Sequence, residues 1–561
     1  MSEAKGAFSL VLHGHLPWVL HHGRWPHGED WLYEAVVETW LRLLDVLDRC
    51  EAGGLRPAWS VGVMPILLEQ LAHPRMRSGL DDYLREMGQR AERDAAEFDG
   101  QDGHLAWLAR CHGERVVAQR AQLDRIGWSV PEALAAHAAA GRIELLSSNA
   151  THGYMPLLLH DRCSRAQVRA GVATSTRHFG FQPRGAWLPE CAYRGVVDDW
   201  VPPAVHGDAR QRGGVAGLFA AEGVDHFFVD EPVLREGRSV WARDGSWRRV
   251  TWDQGEWDDQ RSWRNPLEPH EIVEGGERTG VVALARAPGI AQQVWSADTG
   301  YPGDGRYLEF HKKHGMRGLR YWKVTGRDVD LGDKHRYYPD EALAAAREHA
   351  EHYANSISDA VHRHHESTGR FALVTAPFDA ELFGHWWAEG PEFLWHLAQQ
   401  LSRHPGVAAM STSEAIERSG VDKGVELAEG SWGAGGDHRV WLHDGMRFYW
   451  ELVYRSEDRF LGLVDHAGWQ DRAEVREILE EAGRQLLLLQ ASDWAFVITT
   501  GGAVDYGLRR ITAHAAALDD LCNGVDDLVA GRPVDPVVRS TLARCRLVDD
   551  VFPDLDLRWW Q

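Results

Sequence analysis

The chain has 561 residues, several times the usual domain length, so one large unit with an inserted or appended domain is expected. Acidic residues outnumber basic ones, 83 against 61, and the formal charge of -22 argues against a nucleic-acid partner or an anionic membrane surface. The N-terminal MSEAKGAFSLVLHGHLPW lacks a basic stretch followed by a sustained apolar one, and no window reaches the ~18 apolar residues of a membrane span, so a soluble, cytoplasmic protein is expected.

Two further counts narrow the class. The 26 Trp exceed both the 16 Phe and the 13 Tyr. Flat amphipathic rings in that number suit the apolar C–H faces of pyranose sugars, although compositional bias with ordinary packing would also produce them. The six cysteines (Cys50, Cys111, Cys163, Cys191, Cys522 and Cys545) form no C-x-x-C pair, which fits free thiols in a reducing compartment.

Through the first four hundred residues, short apolar runs end in polar clusters and are followed by helical stretches. The runs are FSLVLHGH, AWSVGVMP, RIELLSSNATHG, RGAWLPE, VDHFFVDE, VVALARAP, FALVTAPFDAE and GVAAMSTSEA. Strands alternating with helices predict a parallel sheet of the α/β class. Histidines and carboxylates at the strand ends predict a closed or nearly closed barrel with its site on the C-terminal face.

In HGHLP, His13 and His15 stand two apart on a strand and share a face, with Gly14 bare on the other. They could line a sugar pocket, supply two zinc ligands with His152 or a carboxylate as the third, or sit satisfied at a barrel rim. Residues 75 to about 140 read as amphipathic helix longer than one crossover, which predicts an inserted helical hairpin domain. In NATHGYMPLL, residues 149–158, His152 would orient a nucleophile or bind substrate; a capped turn is the plainer explanation. WLPECAY puts Glu190 at the mouth of a strand. Residues 231–280, dense in Gly, Arg, Asp and Trp without period, predict a long loop over the site.

The segment APFDAELFGHWWAEGPEFLW, residues 376–395, carries Asp379 and Glu381 directly after the strand FALVT. An acidic first turn explains Glu389 and Glu392 as complements of a helix dipole, and leaves Asp379 unexplained. Chemistry on a glycosidic bond needs one ionised and one protonated carboxyl, and Glu190 and Asp379 lie at the ends of different predicted strands. Beyond residue 420 helical signals dominate, and the glycine-rich GSWGAGGDHRVWL (430–442) lacks the spacing of a P-loop or dinucleotide fingerprint.

Taken in order, HGHLP, IELLSSNATHGY, WLPECAY, FDAELFGHWWAEGP and GSWGAGGDHRVWL resemble the sequence regions of glycoside hydrolase family 57. From residue 8 to about 510 the chain is similar to that family's 1,4-α-glucan branching enzymes, with VWSADTGYPGDGRYLEFHKKHG (294–315) and ASDWAFVITTGGAVDY (491–506) typical of the subgroup. The resemblance implies a distorted (β/α)7 barrel split over 1–74 and 141–415, an inserted helical domain at 75–140, and a C-terminal helical domain at 416–561 closing over the site. It implies no metal or cofactor and an α-glucan substrate. By motif, Glu190 would be the nucleophile and Asp379 the general acid/base, roughly 5–5.5 Å apart in a retaining mechanism. His13, His15, Trp18, His152, Trp187, Trp295, Trp386 and Trp432 would line the donor site, with Asp437 and His438 as further substrate-binding candidates.

One departure from the family pattern bears on the activity. The family's branching enzymes use a tyrosine on a flexible loop, and the aligned stretch here, about 231–265, has none; it holds Trp241, Trp247, Trp252, Trp257 and Trp263 instead. Either one of these shields the site or branching is weak. A family 57 hydrolase or 4-α-glucanotransferase is therefore the second expectation. From other classes stand a zinc-dependent deacetylase-like barrel and a non-catalytic glucan-binding protein.

Overall fold

The computed structural model describes residues 4–205, 207–243, 245–250, 263–296 and 299–561; Trp252 and Trp257 lie outside them. All eight apolar runs contain strands, and seven of these form the barrel: β1 (Gly6–Gly14), β2 (Trp59–Val63), β3 (Ile143–Leu146), β4 (Gly185–Ala186), β5 (His226–Val229), β6 (Glu277–Ala285) and β7 (Ala372–Asp379). Neighbours are parallel in two arcs, β7-β1-β2-β3 and β4-β5-β6. The arcs join where Ser147 bridges Ala186, and again where Ala287 N donates to Thr375 O at 2.9 Å.

A seven-stranded barrel with two thin seams is thus the frame, and the seams are its distortion. β1 is buried along its whole length, as a parallel strand covered on both faces must be. The eighth run, Val407–Ala409, pairs with the start of β1, whose other end pairs with β2.

Among its described residues, which leave out 244 and 251–262, the stretch 231–280 is not the long loop its composition predicts. It holds a helix, Glu231–Arg235, and strands Arg238–Arg243, Trp247–Arg249 and His270–Glu274, which extend the second arc outward. The strand Lys423–Glu426 sits between two of them, parallel to His270–Glu274 and antiparallel to Arg238–Arg243. A Cβ on Gly424 would come within 2.6 Å of the Trp241 Cβ, so this pairing needs glycine there. The ordering partner comes from about 180 residues downstream, and local composition carries no sign of it. Trp241 and Trp247 belong to this sheet, and Trp247 lies under the Arg278 guanidinium at 3.9 Å.

Helices Pro74–Phe98 and Gly103–Arg125 form a hairpin, its second member capped by Asp102, which accepts from His104 N and Leu105 N. From Arg447 onward the described structure is helical, with Arg447–His466, Ala473–Leu489, Asp493–Thr499, Val504–Val529 and Pro536–Val548 as its elements. Among the described residues, no helix is long and apolar enough to cross a membrane.

Candidate active site

The strand ends deliver the chemistry. β1 and β7 run in register with His13 beside Asp379, so one pairing fixes an imidazole next to a carboxyl. Gly14 follows because a Cβ there would lie 2.1 Å from the Trp40 ring. After β3 the chain turns through His152 at φ 60°, and after β4 through Glu190 at φ 58° and Cys191 at φ 48°. Left-handed backbone at non-glycine residues costs on the order of 1–3 kcal/mol each and persists only where neighbours hold it.

The neighbours come from the C-terminal third. Trp432 N donates to Glu190 O at 3.0 Å, Tyr193 and Gly430 exchange backbone bonds at 2.9 and 3.1 Å, and Ser492 N donates to His152 O at 3.1 Å.

The side chains extend the same ties. The Trp432 indole donates to Glu190 Oε2 at 2.9 Å, and Ser492 Oγ donates to Oε1 at 3.4 Å. His152 Nδ1 lies 2.8 Å from Ser492 Oγ, while its Nε2 meets His13 Nε2 at 3.2 Å. One tautomer assignment satisfies all three contacts: His13 donates to His152, His152 to Ser492, and Ser492 to Glu190. Burial pushes the pKa of both imidazoles well down, so the chain of donors runs between neutral rings. His15 Nε2 sits 2.8 and 2.9 Å from the two oxygens of Asp493. The rings form a stack, with His13 against Trp187 at 4.5 Å and His15 against His152 at 4.0 Å.

Burial also raises the acids. Asp379 is pushed up to about 7 and Glu190 to about 8, the latter also by the nearby Asp379 and Asp493 charges. Glu381, which accepts from His15 N at 3.3 Å, is raised to about 8 by burial and then by Asp379. Carboxyls whose charges act on each other titrate together, and one proton on the pair is the favoured state near neutrality. The sizes of the shifts alone would put that proton on Glu190. The hydrogen bonds decide otherwise: two donors point at Glu190, and among the described residues none reaches the Asp379 carboxyl. A carboxylate is stabilised where donors meet it, so the geometry favours the anion on Glu190 and the proton on Asp379.

Of the remaining predicted residues, Trp432 stacks on Trp295 at 6.1 Å and meets the Trp187 edge at 4.9 Å. Trp386 follows β7 on the exposed side of the same mouth. Trp18 does not line the site. It is wholly buried, its indole donating to Val548 O at 2.8 Å, because HLPW turns away from the barrel to anchor the last helix. Asp437 also falls outside: it pairs with Arg439 at the surface, which holds its pKa at about 2. His438 bonds Tyr154 OH and Glu429, each at 2.8 Å, and so props the 430–442 segment against the barrel.

Sequence reasoning missed Ser492 and Asp493. Both lie in the ASDWAFVITTGGAVDY segment quoted above, but a Ser-Asp pair opening a helix is explained by ordinary capping and drew no attention of its own. His15, His152 and Asp493 offer three ligand atoms within 4.8 Å of one another, a spacing a divalent cation could span. Each of the three is already engaged in the hydrogen bonds above, so a cation would have to displace bonds that the protein makes by itself.

Comparison with known proteins agrees with this architecture. Residues 9–427 match the model of Glycosyl hydrolase family 57, and residues 452–560 match that described as 1,4-alpha-glucan branching enzyme, C-terminal. The chain is 35% identical to the 1,4-alpha-glucan branching enzyme of Thermococcus kodakarensis over 92% of its own length and 74% of that protein's. It is 31% identical to a probable 1,4-alpha-glucan branching enzyme of Mycobacterium tuberculosis, covering 99% and 98%. Among solved structures, the family 57 branching enzyme of Thermococcus kodakaraensis superposes with a TM-score of 0.88 at 33% identity, covering 99% and 96%. The alpha-amylase of Thermotoga maritima superposes at 0.81 with 25% identity, covering 99% of each chain. With a family match over most of its length, the chain belongs to glycosyl hydrolase family 57.

Proposed function

We propose that the protein is a 1,4-α-glucan branching enzyme, which cleaves an α-1,4-glucan and transfers the chain to a 6-hydroxyl with retention of configuration. The observation that carries this reading is the asymmetric acid pair, Glu190 held by two donors and Asp379 by none, in a chain related along its length to branching enzymes. Glycogen or a similar intracellular glucan is the proposed substrate, and the barrel, the insertion at 75–140 and the helical part from 416 are the proposed domains. The free cysteines fit a cytoplasmic setting.

In the first step Glu190 attacks the anomeric carbon while Asp379 gives its proton to the departing glycosidic oxygen, leaving a glycosyl ester on Glu190. Asp379, now ionised, takes the proton of an acceptor 6-hydroxyl. Its oxygen bonds to the anomeric carbon as the ester breaks, and two inversions restore the α configuration. The His13–His152–Ser492 chain keeps one Glu190 oxygen oriented, and Trp432 holds the other. Preorganised donors of this kind need no rearrangement when charge develops.

The test is incubation of the purified protein with amylose, scoring α-1,6 anomeric protons by NMR beside released reducing ends, with Glu190→Gln as the blank. New α-1,6 signals in excess of reducing ends, absent from the variant, are expected. Reducing ends without α-1,6 signals would make the protein a family hydrolase, and rearranged linear chains would make it a 4-α-glucanotransferase.

A further inference from the structure

Positive charge is concentrated where the inserted hairpin meets the barrel. A small cavity there, of about 70 Å³, has room for a few waters or one small oxyanion and is far below the ~300–1,000 Å³ of sites that enclose larger molecules. Four parts of the chain wall it: residues 34–42, helices Pro74–Phe98 and Gly103–Arg125, the segment 308–320, and Gly384 with Ala388 beyond β7. In a chain of formal charge -22, this lining carries six cations, Arg42, Arg90, Arg115, Lys313, Arg317 and Arg320, against two carboxylates, Glu34 and Glu38.

Four of the six cations are already matched. Arg320 pairs with Glu38 at 2.5 Å, Lys313 with Glu34 at 3.5 Å, Arg90 with Glu86 at 3.5 Å, and Arg317 with Asp30. Arg42 and Arg115 are not: among the described residues neither makes an ion pair or a hydrogen bond. Arg115 is exposed to water, whereas Arg42 is partly buried. Burial and the Arg115 charge push the Arg42 pKa down to about 10. Glu389 and Glu392 offset this only from a distance, since Glu389 accepts from Tyr337 OH at 2.6 Å and Leu308 N at 3.2 Å, and Glu392 pairs with Arg49 at 2.5 Å. A guanidinium carries five N–H donors, and one withdrawn from water without a partner is held at a cost.

The cavity also offers a neutral donor. Tyr83 lines it and is 4% exposed, and its hydroxyl makes no hydrogen bond among the described residues. His112 adds no charge, because burial lowers its pKa to about 3 and its Nε2 lies 3.0 Å from Arg320 O.

We propose that this cavity is a binding site for a tetrahedral oxyanion of the phosphate class, held by Arg42 and Arg115 with Tyr83 donating to it. Planar guanidinium forks match the oxygens of such an anion in pairs, which a point cation does not. The anion neutralises the two charges that the protein leaves unmatched. Each donor comes from a different helix: Arg42 from Leu41–Ala52, between β1 and β2, Tyr83 from Pro74–Phe98 and Arg115 from Gly103–Arg125. The bound anion therefore ties both helices of the inserted hairpin to the barrel. Its source is free phosphate or the phosphoryl end of a sugar phosphate whose sugar stays outside the cavity. The site uses neither acid of the pair and stands whether or not the protein branches glucan.

The test is equilibrium dialysis of the full chain against radiolabelled inorganic phosphate at constant ionic strength, for the native protein, Arg42→Gln, Arg115→Gln, Tyr83→Phe and, as a remote exposed guanidinium, Arg558→Gln. One saturable site per chain is expected in the native protein and in Arg558→Gln. Affinity should fall about tenfold or more in each of Arg42→Gln and Arg115→Gln, and about threefold in Tyr83→Phe. No saturable binding below about 10 mM phosphate, or an affinity within about twofold of native in both arginine variants, would overturn the proposal. Arg115 is exposed, so Arg115→Gln keeps the measurement decisive should Arg42→Gln not fold. Glucose 6-phosphate as competitor separates the sources. Displacement of the label at lower concentration than unlabelled phosphate requires marks a sugar phosphate as the ligand, displacement only at higher concentration marks free phosphate, and both support the site.

Discussion

The two sides of the catalytic mouth are built in opposite ways. On the Glu190 side, residues from three strand ends and from the C-terminal third interlock, with three imidazoles and an indole stacked and a continuous line of donors ending on the carboxylate. On the Asp379 side there is no donor to the acid among the described residues, and an open cavity with exposed indoles begins a few residues on. The contrast suits the proposed roles: a nucleophile must hold one position and one charge, which rigid packing supplies, and an acid/base that serves two sugars in succession must keep its proton labile and its surroundings open.

The contrast can be broken from either side. The largest effect is expected for Asp379→Asn, which removes the proton carrier. Turnover on amylose should fall about 10²–10⁴-fold. Glucosyl fluoride, whose leaving group needs no proton, should recover much of the first step as a burst of released fluoride. Equal loss on both substrates would show that Asp379 acts in some other way.

Trp432→Phe and Ser492→Ala each delete one donor to Glu190 while keeping the packing close to native. A hydrogen bond to a charged group contributes roughly 1.5–3 kcal/mol, so each should lower kcat about 10–100-fold. The sign of the pH effect is fixed. The donors stabilise the anion, so losing one raises the Glu190 pKa and moves the acid limb of the pH profile to higher pH. In the native protein that profile should be a narrow bell near neutrality, since burial lifts the pair to about 7 and about 8. An acid limb that does not move in either variant would mean that these donors hold geometry and not charge.

The smallest effects sharpen the boundary of the site. Asp437→Asn should leave kcat/KM within about twofold, because its partner is Arg439 at the surface and not the substrate. A chelator should likewise leave activity unchanged, since His15 pairs with Asp493, and His152 with His13 and Ser492, without an ion. Loss of activity that returns with zinc would reverse that assignment.

What was legible in the sequence follows from short-range rules. A parallel barrel strand is an apolar run with a polar end, and seven of the eight runs quoted above contain one, with Glu190 and Asp379 at or just beyond the ends of β4 and β7. Histidines two apart on β1 share a face by the pleat alone. Trp18 misled because an indole beside a site motif looks like a platform; whether HLPW continues toward the site or turns into the core depends on the last helix, some 530 residues later. The stretch 231–280 misled because its order comes from pairing with Lys423–Glu426.

The sequence by itself therefore marked the elements, since periodicity is a local property of a chain, and it singled out Glu190 and Asp379 through motifs that resemble a family's. Only the tertiary structure brings donors to one acid of the two. Ser492 and Trp432 lie 302 and 242 residues from Glu190, and their donors reach it only when the helical third folds over the barrel mouth. Proton affinity depends on distance, burial and donor direction in three dimensions, and no run of neighbours along the chain encodes those.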